Sequence, residues 1–263
     1  MEVHGLMIDI DGVLTVSWEP IPGAPETFAE LQRRKIPFRL ATNTTSRPRR
    51  EVAELLHTAG FDVEQQQILT APIATASYLH EHHPDARCFM LSSGDVSEDL
   101  DDIHCVEIGD GADVVVLGGA GLVYTHEQLN HAFELLLDGA HFVAMHRNLY
   151  WRTARGMELD TGAYVSALEA ATGRSPVVIG KPAEAFFRAG LAALEAMPSE
   201  VVMVGDDVVN DIDGAQEIGI VGCLVQTGKY RADAVEMASS TPDHVIPSFA
   251  HIFDVLDRGV DSQ

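Results

Sequence analysis

Almost wholly apolar runs of strand length recur along this chain, separated by segments of helical period. The runs include GLMIDI (5–10), IPFRLAT (36–42), PVVIGKP (176–182), VVMVGDD (201–207) and GIVGCLVQTG (219–228). A strand that is apolar on both faces needs cover on both, and alternating helices provide it. The pattern therefore predicts an α/β chain built on a mainly parallel sheet. Strands are expected at 4–10 and 36–42, with helices near 24–34 and 47–59, the latter stopped by Gly60. Further helices near 183–196 and 211–218 would connect the last three strands.

The middle of the chain carries αβ elements of its own: RCFMLSS, ADVVVLGG, EQLNHAFELLLDG, HFVAMHR and AYVSALEAAT. Residues 73–176 are therefore expected to form an inserted domain, and 1–72 with 177–263 the core. A chain of 263 residues is long enough for two unequal domains.

Charge narrows the possible partners. With 17 Lys+Arg against 40 Asp+Glu the formal net charge is −23, which argues against general affinity for nucleic acid or an anionic membrane surface. Cys88, Cys105 and Cys223 are few, odd in number and without CxxC spacing, as expected in a reducing, cytoplasmic setting. Neither a signal peptide nor a membrane span is read from the sequence.

Polar residues cluster where four of the apolar runs end: Asp9 and Asp11; Thr42, Asn43 and Thr44; Lys181; and Asp206, Asp207 and Asp211. Parallel strands share one carboxyl edge, where ligands bind, so the four clusters should converge. DIDG alone resembles the start of a calcium loop, but Val13 and the lack of a closing Glu break that pattern. Several carboxylates at one edge repel each other unless a cation sits among them, and a hard oxygen site with few protein ligands suits Mg²⁺. Lys181 and the Thr42 hydroxyl then offer donors to an anion, and a phosphoryl group fits between metal and lysine.

The segments DIDGVL, ATNTTS, GKP and GDDVVNDIDGAQ, in this order and spacing, resemble the four motifs of the haloacid dehalogenase superfamily, and the C-terminal VQTGKYR extends the match. The insertion between the second and third motifs, ending in LDTGAYVSALEAATGRSPVVIGKP, is similar to the NagD-like branch with a large αβ cap. The resemblance implies a Rossmann-like core with an inserted αβ cap domain and an Mg²⁺-dependent phosphatase. Its substrate would be a small phosphorylated molecule, and a homodimer through the cap would be in keeping with the family.

By motif position, the resemblance makes Asp9 the nucleophile and phosphoryl carrier, and Asp11 the general acid and base. It gives Thr42 and Lys181 to phosphoryl binding and charge neutralisation, helped by the backbone of Asn43 and Thr44. The metal would be held by Asp9, the carbonyl of Asp11, Asp206 and Asp211, while Asp207 has no assigned part. Arg147, Asn148, Trp151 and Arg155 are candidates for reading the leaving group. Two further readings stand beside hydrolysis: a non-catalytic phosphate- and Mg²⁺-binding regulator, and phosphoryl transfer to an acceptor other than water.

Two signals are set aside. His80, His82 and His83 in YLHEHHP lack a second cluster with ligand spacing and are read as the solvated end of a helix. GGAGLV (118–123) falls short of a dinucleotide fingerprint and is read as a loop.

Overall fold

The computed structural model describes residues 3–153 and 156–257, which divide into two compact units. Among the described residues one unit comprises 3–42, 49–69 and 181–257; the other comprises 43–48, 70–153 and 156–180.

The first unit is organised by a six-stranded sheet. Its strand order is His244–Ile246, Val221–Val225, Val201–Gly205, Gly5–Asp9, Phe38–Thr42, Ile68–Thr70. Gly5–Asp9 lies near the middle, parallel to Val201–Gly205 on one side and Phe38–Thr42 on the other. All five of its residues are buried, which explains why its sequence is continuously apolar up to Asp9. Leu6 and Ile8 point into the larger core cluster with Leu40, Val202, Val204 and Phe249. In that cluster Phe28, from the helix Ala24–Arg33, meets Phe38 and Phe61 edge to face, with ring centroids 4.9 and 5.5 Å apart.

The helices Arg49–Thr58 and Glu184–Leu194 fall within the expected spans. The expected helix at 211–218 is different: a turn of π-helix, Val208–Asp213, runs into a single α-turn, Gly214–Glu217. The wider backbone turn packs Ile212 inward with Val208 and Leu224 and leaves Asp211 buried at the strand end.

The second unit has its own five-stranded parallel sheet, ordered Val177–Val178, His141–Ala144, Val114–Leu117, Cys88–Leu91, Cys105–Val106. The helices Ala71–His82, His126–Leu137 and Thr161–Thr172 belong to this unit, and an antiparallel hairpin pairs Tyr150–Thr153 with Gly156–Leu159. Thr70, Thr125 and Asp160 cap the three helices by accepting backbone N–H bonds. GGAGLV is a loop following Val114–Leu117.

PVVIGKP does not supply a strand to the first unit's sheet. Val177 and Val178 instead pair with Val143 and Ala144 at an edge of the second sheet, and the division falls after Gly180. Two apolar residues carry no signature of which sheet they join; the partner strand decides. Among the described residues no helix is long and apolar enough to cross a membrane.

Candidate active site

Asp9 ends its strand beside Ala41, its register partner on the neighbouring strand, and Thr42 follows at that strand's last position. Asp206 and Asp211 emerge beyond the adjacent strand Val201–Gly205, so two strand ends deliver three acids to the same edge. One carboxylate oxygen from each of Asp9, Asp206 and Asp211 lies within 4.8 Å of the others, and all three residues are buried.

Lys181 enters this cluster at 6% exposure. Its ammonium donates to Asp9 Oδ1 at 2.7 Å, to Asp211 Oδ1 at 2.6 Å and to the Ala41 carbonyl at 3.1 Å, using all three donors. Burial alone would lower its pKa, but the charges of Asp211 and Asp9 outweigh burial and hold it above the ordinary lysine value. Asp211 is pushed up by burial despite Lys181. Asp206 is pushed up to about 7, first by burial and then by the charge of Asp9.

The two oxygens of Asp206 differ sharply. Oδ2 accepts the Lys229 N–H at 2.7 Å, whereas Oδ1 is buried with no hydrogen-bond partner among the described residues. An orphaned buried oxygen on a carboxylate clustered with two others is unfavourable for protein alone and suited to a hard divalent cation. The donor set therefore fits Mg²⁺ on the chemistry of its oxygens.

Two glycines make room for that carboxylate. A Cβ on Gly12 (φ 91°) would lie 1.9 Å from Asp206 Oδ2, and one on Gly228 (φ 59°) 2.0 Å from the same atom. The Thr227 hydroxyl donates to the Gly12 carbonyl at 2.5 Å, tying the loop after Val221–Val225 to the loop after Asp9. Thr227, Gly228 and Lys229 were given no role from sequence; the signal was TGK, a polar stop directly after an apolar strand.

Asp207 serves the backbone. Its Oδ1 accepts the N–H groups of Val209 and Asn210 at 3.1 and 3.0 Å, and its Oδ2 accepts from Asn210 Nδ2 at 2.8 Å, so it caps the π-turn. Asp11 lies past the strand end, exposed, with Oδ1 accepting the Ser17 N–H at 3.3 Å.

The remaining candidates among the described residues belong to the second unit, Asn43 and Thr44 with them, and Asn43 sits close against Gly180. Arg147 is exposed and paired with Glu169 at 2.5 Å. The Asn148 carbonyl accepts the Gly162 N–H at 2.8 Å. Trp151 pairs with Glu158 in the hairpin, and Arg155 lies outside the described residues.

Comparison with known proteins agrees with this geometry. The haloacid dehalogenase-like hydrolase family model matches residues 6–105, and a HAD-hydrolase-like model matches 178–252. The chain is 36% identical to haloacid dehalogenase-like hydrolase domain-containing protein 2 of Rattus norvegicus, covering 96% of this chain and 95% of that one. It is 31% identical to the phospholysine phosphohistidine inorganic pyrophosphate phosphatase of Rattus norvegicus, covering 98% and 96%. Among solved structures, it is similar to the p-nitrophenyl phosphatase from Archaeoglobus fulgidus, with a TM-score of 0.89, 29% identity and coverage of 97% and 100%. NagD from E. coli K-12 gives a TM-score of 0.87 at 27% identity, covering 95% and 98%. A chain with these four strand-end motifs, an αβ insertion and full-length relatives of this kind belongs to the haloacid dehalogenase-like hydrolases, in their NagD-like branch.

Proposed function

We propose that this protein is an Mg²⁺-dependent phosphohydrolase that removes phosphate from a small phosphorylated molecule, with Asp9 carrying the phosphoryl group in transit. The observation that carries the reading is a single buried ammonium, Lys181, bonded to two of three clustered carboxylates while Asp206 Oδ1 lacks a partner. Such a site has unspent affinity for a cation and, beside it, for an anion.

Asp9, Asp206, Asp211 and the carbonyl of Asp11 are the groups that would hold Mg²⁺. When bound, the ion supplies positive charge that lets an anionic phosphoryl group approach a carboxylate. A carboxylate oxygen of Asp9 forms a bond to phosphorus as the bond to the leaving oxygen breaks. Asp11, exposed just past the strand, gives that oxygen a proton, then takes one from the water that releases inorganic phosphate. Lys181 fixes Asp9 and balances charge on the transferring group, and Thr42, at the neighbouring strand end, donates to its oxygens.

The phosphatases among its relatives and solved neighbours point to p-nitrophenyl phosphate, pyrophosphate and phosphorylated lysine and histidine as the first substrates to try. Release of inorganic phosphate in Mg²⁺ with no added acceptor distinguishes hydrolysis from transfer. Asp9→Asn should lower kcat by a factor of about 10³ or more with the fold retained by circular dichroism, as expected for loss of a nucleophile. Unchanged turnover in that variant would remove Asp9 from the chemistry. No turnover of any of these phosphorylated compounds by the unmodified chain, with Mg²⁺ still raising its Tm, would make it a binding protein instead.

A further inference from the structure

The histidines of YLHEHHP acquire a setting that sequence spacing does not reveal. His83 closes the helix Ala71–His82, and its ring lies 4.4 Å, centroid to centroid, from that of His141, which opens the strand His141–Ala144. Tyr78, one helical turn earlier, stacks on His82 at 4.3 Å and also faces His83. Tyr78, His83 and His141 line a cavity of about 250 Å³ together with Phe142, Arg174 and Ser175.

The charge of this cavity runs against the rest of the molecule. Among the described residues no carboxylate lines it, in a chain whose net charge is −23; Glu169, which accepts from Ser175 at its wall, is held by Arg147. Arg174 makes no ion pair among the described residues, although many of the chain's other arginines hold a carboxylate. Burial disfavours charge on His83, and repulsion from His141 and His82 disfavours it further. Two imidazoles in contact beside an unpaired guanidinium form a site whose missing element is an anion. Arg174 offers a planar fork for oxyanion oxygens, the imidazoles offer N–H donors, and Tyr78 and Phe142 give apolar walls to a small organic body.

We infer that the His83–His141–Arg174 cavity of the second unit is a binding site for a small phosphate-bearing anion, formed by none of the residues of the carboxylate cluster. The volume admits a phosphate with a short organic substituent and excludes a folded macromolecule. Free inorganic phosphate and a phosphorylated metabolite share the recognised group, so the organic body is what separates them.

Titration of the full-length protein with inorganic phosphate, followed through the ring C–H resonances of His83 and His141, tests the site. Resonances are assigned with His83→Gln and His141→Gln. Saturable movement of both toward protonated shifts is expected, with affinity about tenfold weaker in Arg174→Ala, the loss typical of one charge-assisted contact. Thr42→Ala, which weakens the proposed catalytic phosphate site, should leave this titration unchanged, so the two readings fail separately. Replacing phosphate with glycerol 3-phosphate then shows whether the organic body adds affinity. Resonances that do not move, that move equally in Arg174→Ala, or that follow sodium chloride as closely as phosphate would overturn the assignment.

Discussion

Asp206→Asn should make the metal-free protein more stable while abolishing its response to Mg²⁺. The carboxyl pKa is raised from 3.8 to about 7 in the fold, by burial and then by Asp9, so the ionised form is disfavoured there relative to the unfolded chain. Each pKa unit corresponds to about 1.4 kcal/mol, which puts the penalty at up to about 4 kcal/mol above pH 7. Relaxation of neighbouring groups lowers the recoverable part to roughly 1–3 kcal/mol, or about 3–8 °C in Tm for a chain of this size. The amide retains the essential contacts: its oxygen can accept the Lys229 N–H now held by Oδ2, and its NH₂ can donate where Oδ1 has no partner.

The pH dependence has a definite sign. A carboxyl whose folded pKa is raised favours the folded state below its unfolded value of 3.8, and that contribution disappears as pH rises through about 7. The advantage of the asparagine variant should therefore be small at pH 4, grow between pH 4 and 7, and be fully present at pH 8. Thermal melts in EDTA across that range measure it. Millimolar Mg²⁺ at pH 8 should then raise the unmodified protein's Tm and leave the variant's nearly unchanged. A variant less stable than the parent in EDTA at pH 8, or equal Mg²⁺ shifts in both, would refute the argument that Asp206 is an uncompensated buried charge awaiting a cation.

Gly228→Ala should cost about 2 kcal/mol or more in denaturant titrations and weaken the Mg²⁺ shift, since the new Cβ would meet Asp206 Oδ2 at 2.0 Å in a left-handed backbone. Gly119→Ala places a Cβ 2.8 Å from the hydroxyl of buried Thr45. Overpacking of this kind should cost about 1–3 kcal/mol, and adding Thr45→Ala should recover part of it, a non-additivity measurable in a double-mutant cycle. Tyr124→Phe removes a hydroxyl that donates to the Gly118 and Leu91 carbonyls at 2.8 and 3.0 Å, and urea titration should show a loss of about 1–2 kcal/mol. Glu30 is held down to about 2 by hydrogen bonds from Arg33 and Arg34, so its stabilisation is present above about pH 4.5 and fades toward pH 2. Glu30→Gln should flatten the dependence of Tm on pH in that window.

Much of the core was legible because strands buried on both faces leave continuous apolar runs, and because each run stops at residues that would be unfavourable to bury without purpose. Asp9, Lys181, Asp206 and Asp211, which lie together in the structure, stand out in this way. The sheet membership of Val177–Val178 was not, since a two-residue edge strand takes its identity from its partner. Residue pattern without the family resemblance does not divide Asp206 from Asp207: the acids are adjacent, and the backbone turn sends one toward Asp9 and the other onto the N–H groups of Val209 and Asn210. Gly228 was silent because a glycine's reason is the atom that its absent side chain would strike.

The contrast between the acidic cluster and the histidine cavity has one physical origin. Carboxylates gathered at a buried edge raise the energy of the fold at neutral pH, and of the three in this cluster Lys181 compensates Asp9 and Asp211 directly. Histidines carry no such obligation: neutral imidazoles pack against Tyr78 and one another at little cost. Their pattern in YLHEHHP is therefore equally compatible with a solvated helix end and with a binding site. What tips the balance is Arg174, a permanent charge left unpaired beside rings that repel each other's protons. A permanent cation in an acidic chain can readily find a carboxylate, and its position against a cavity free of them favours an anion from solution.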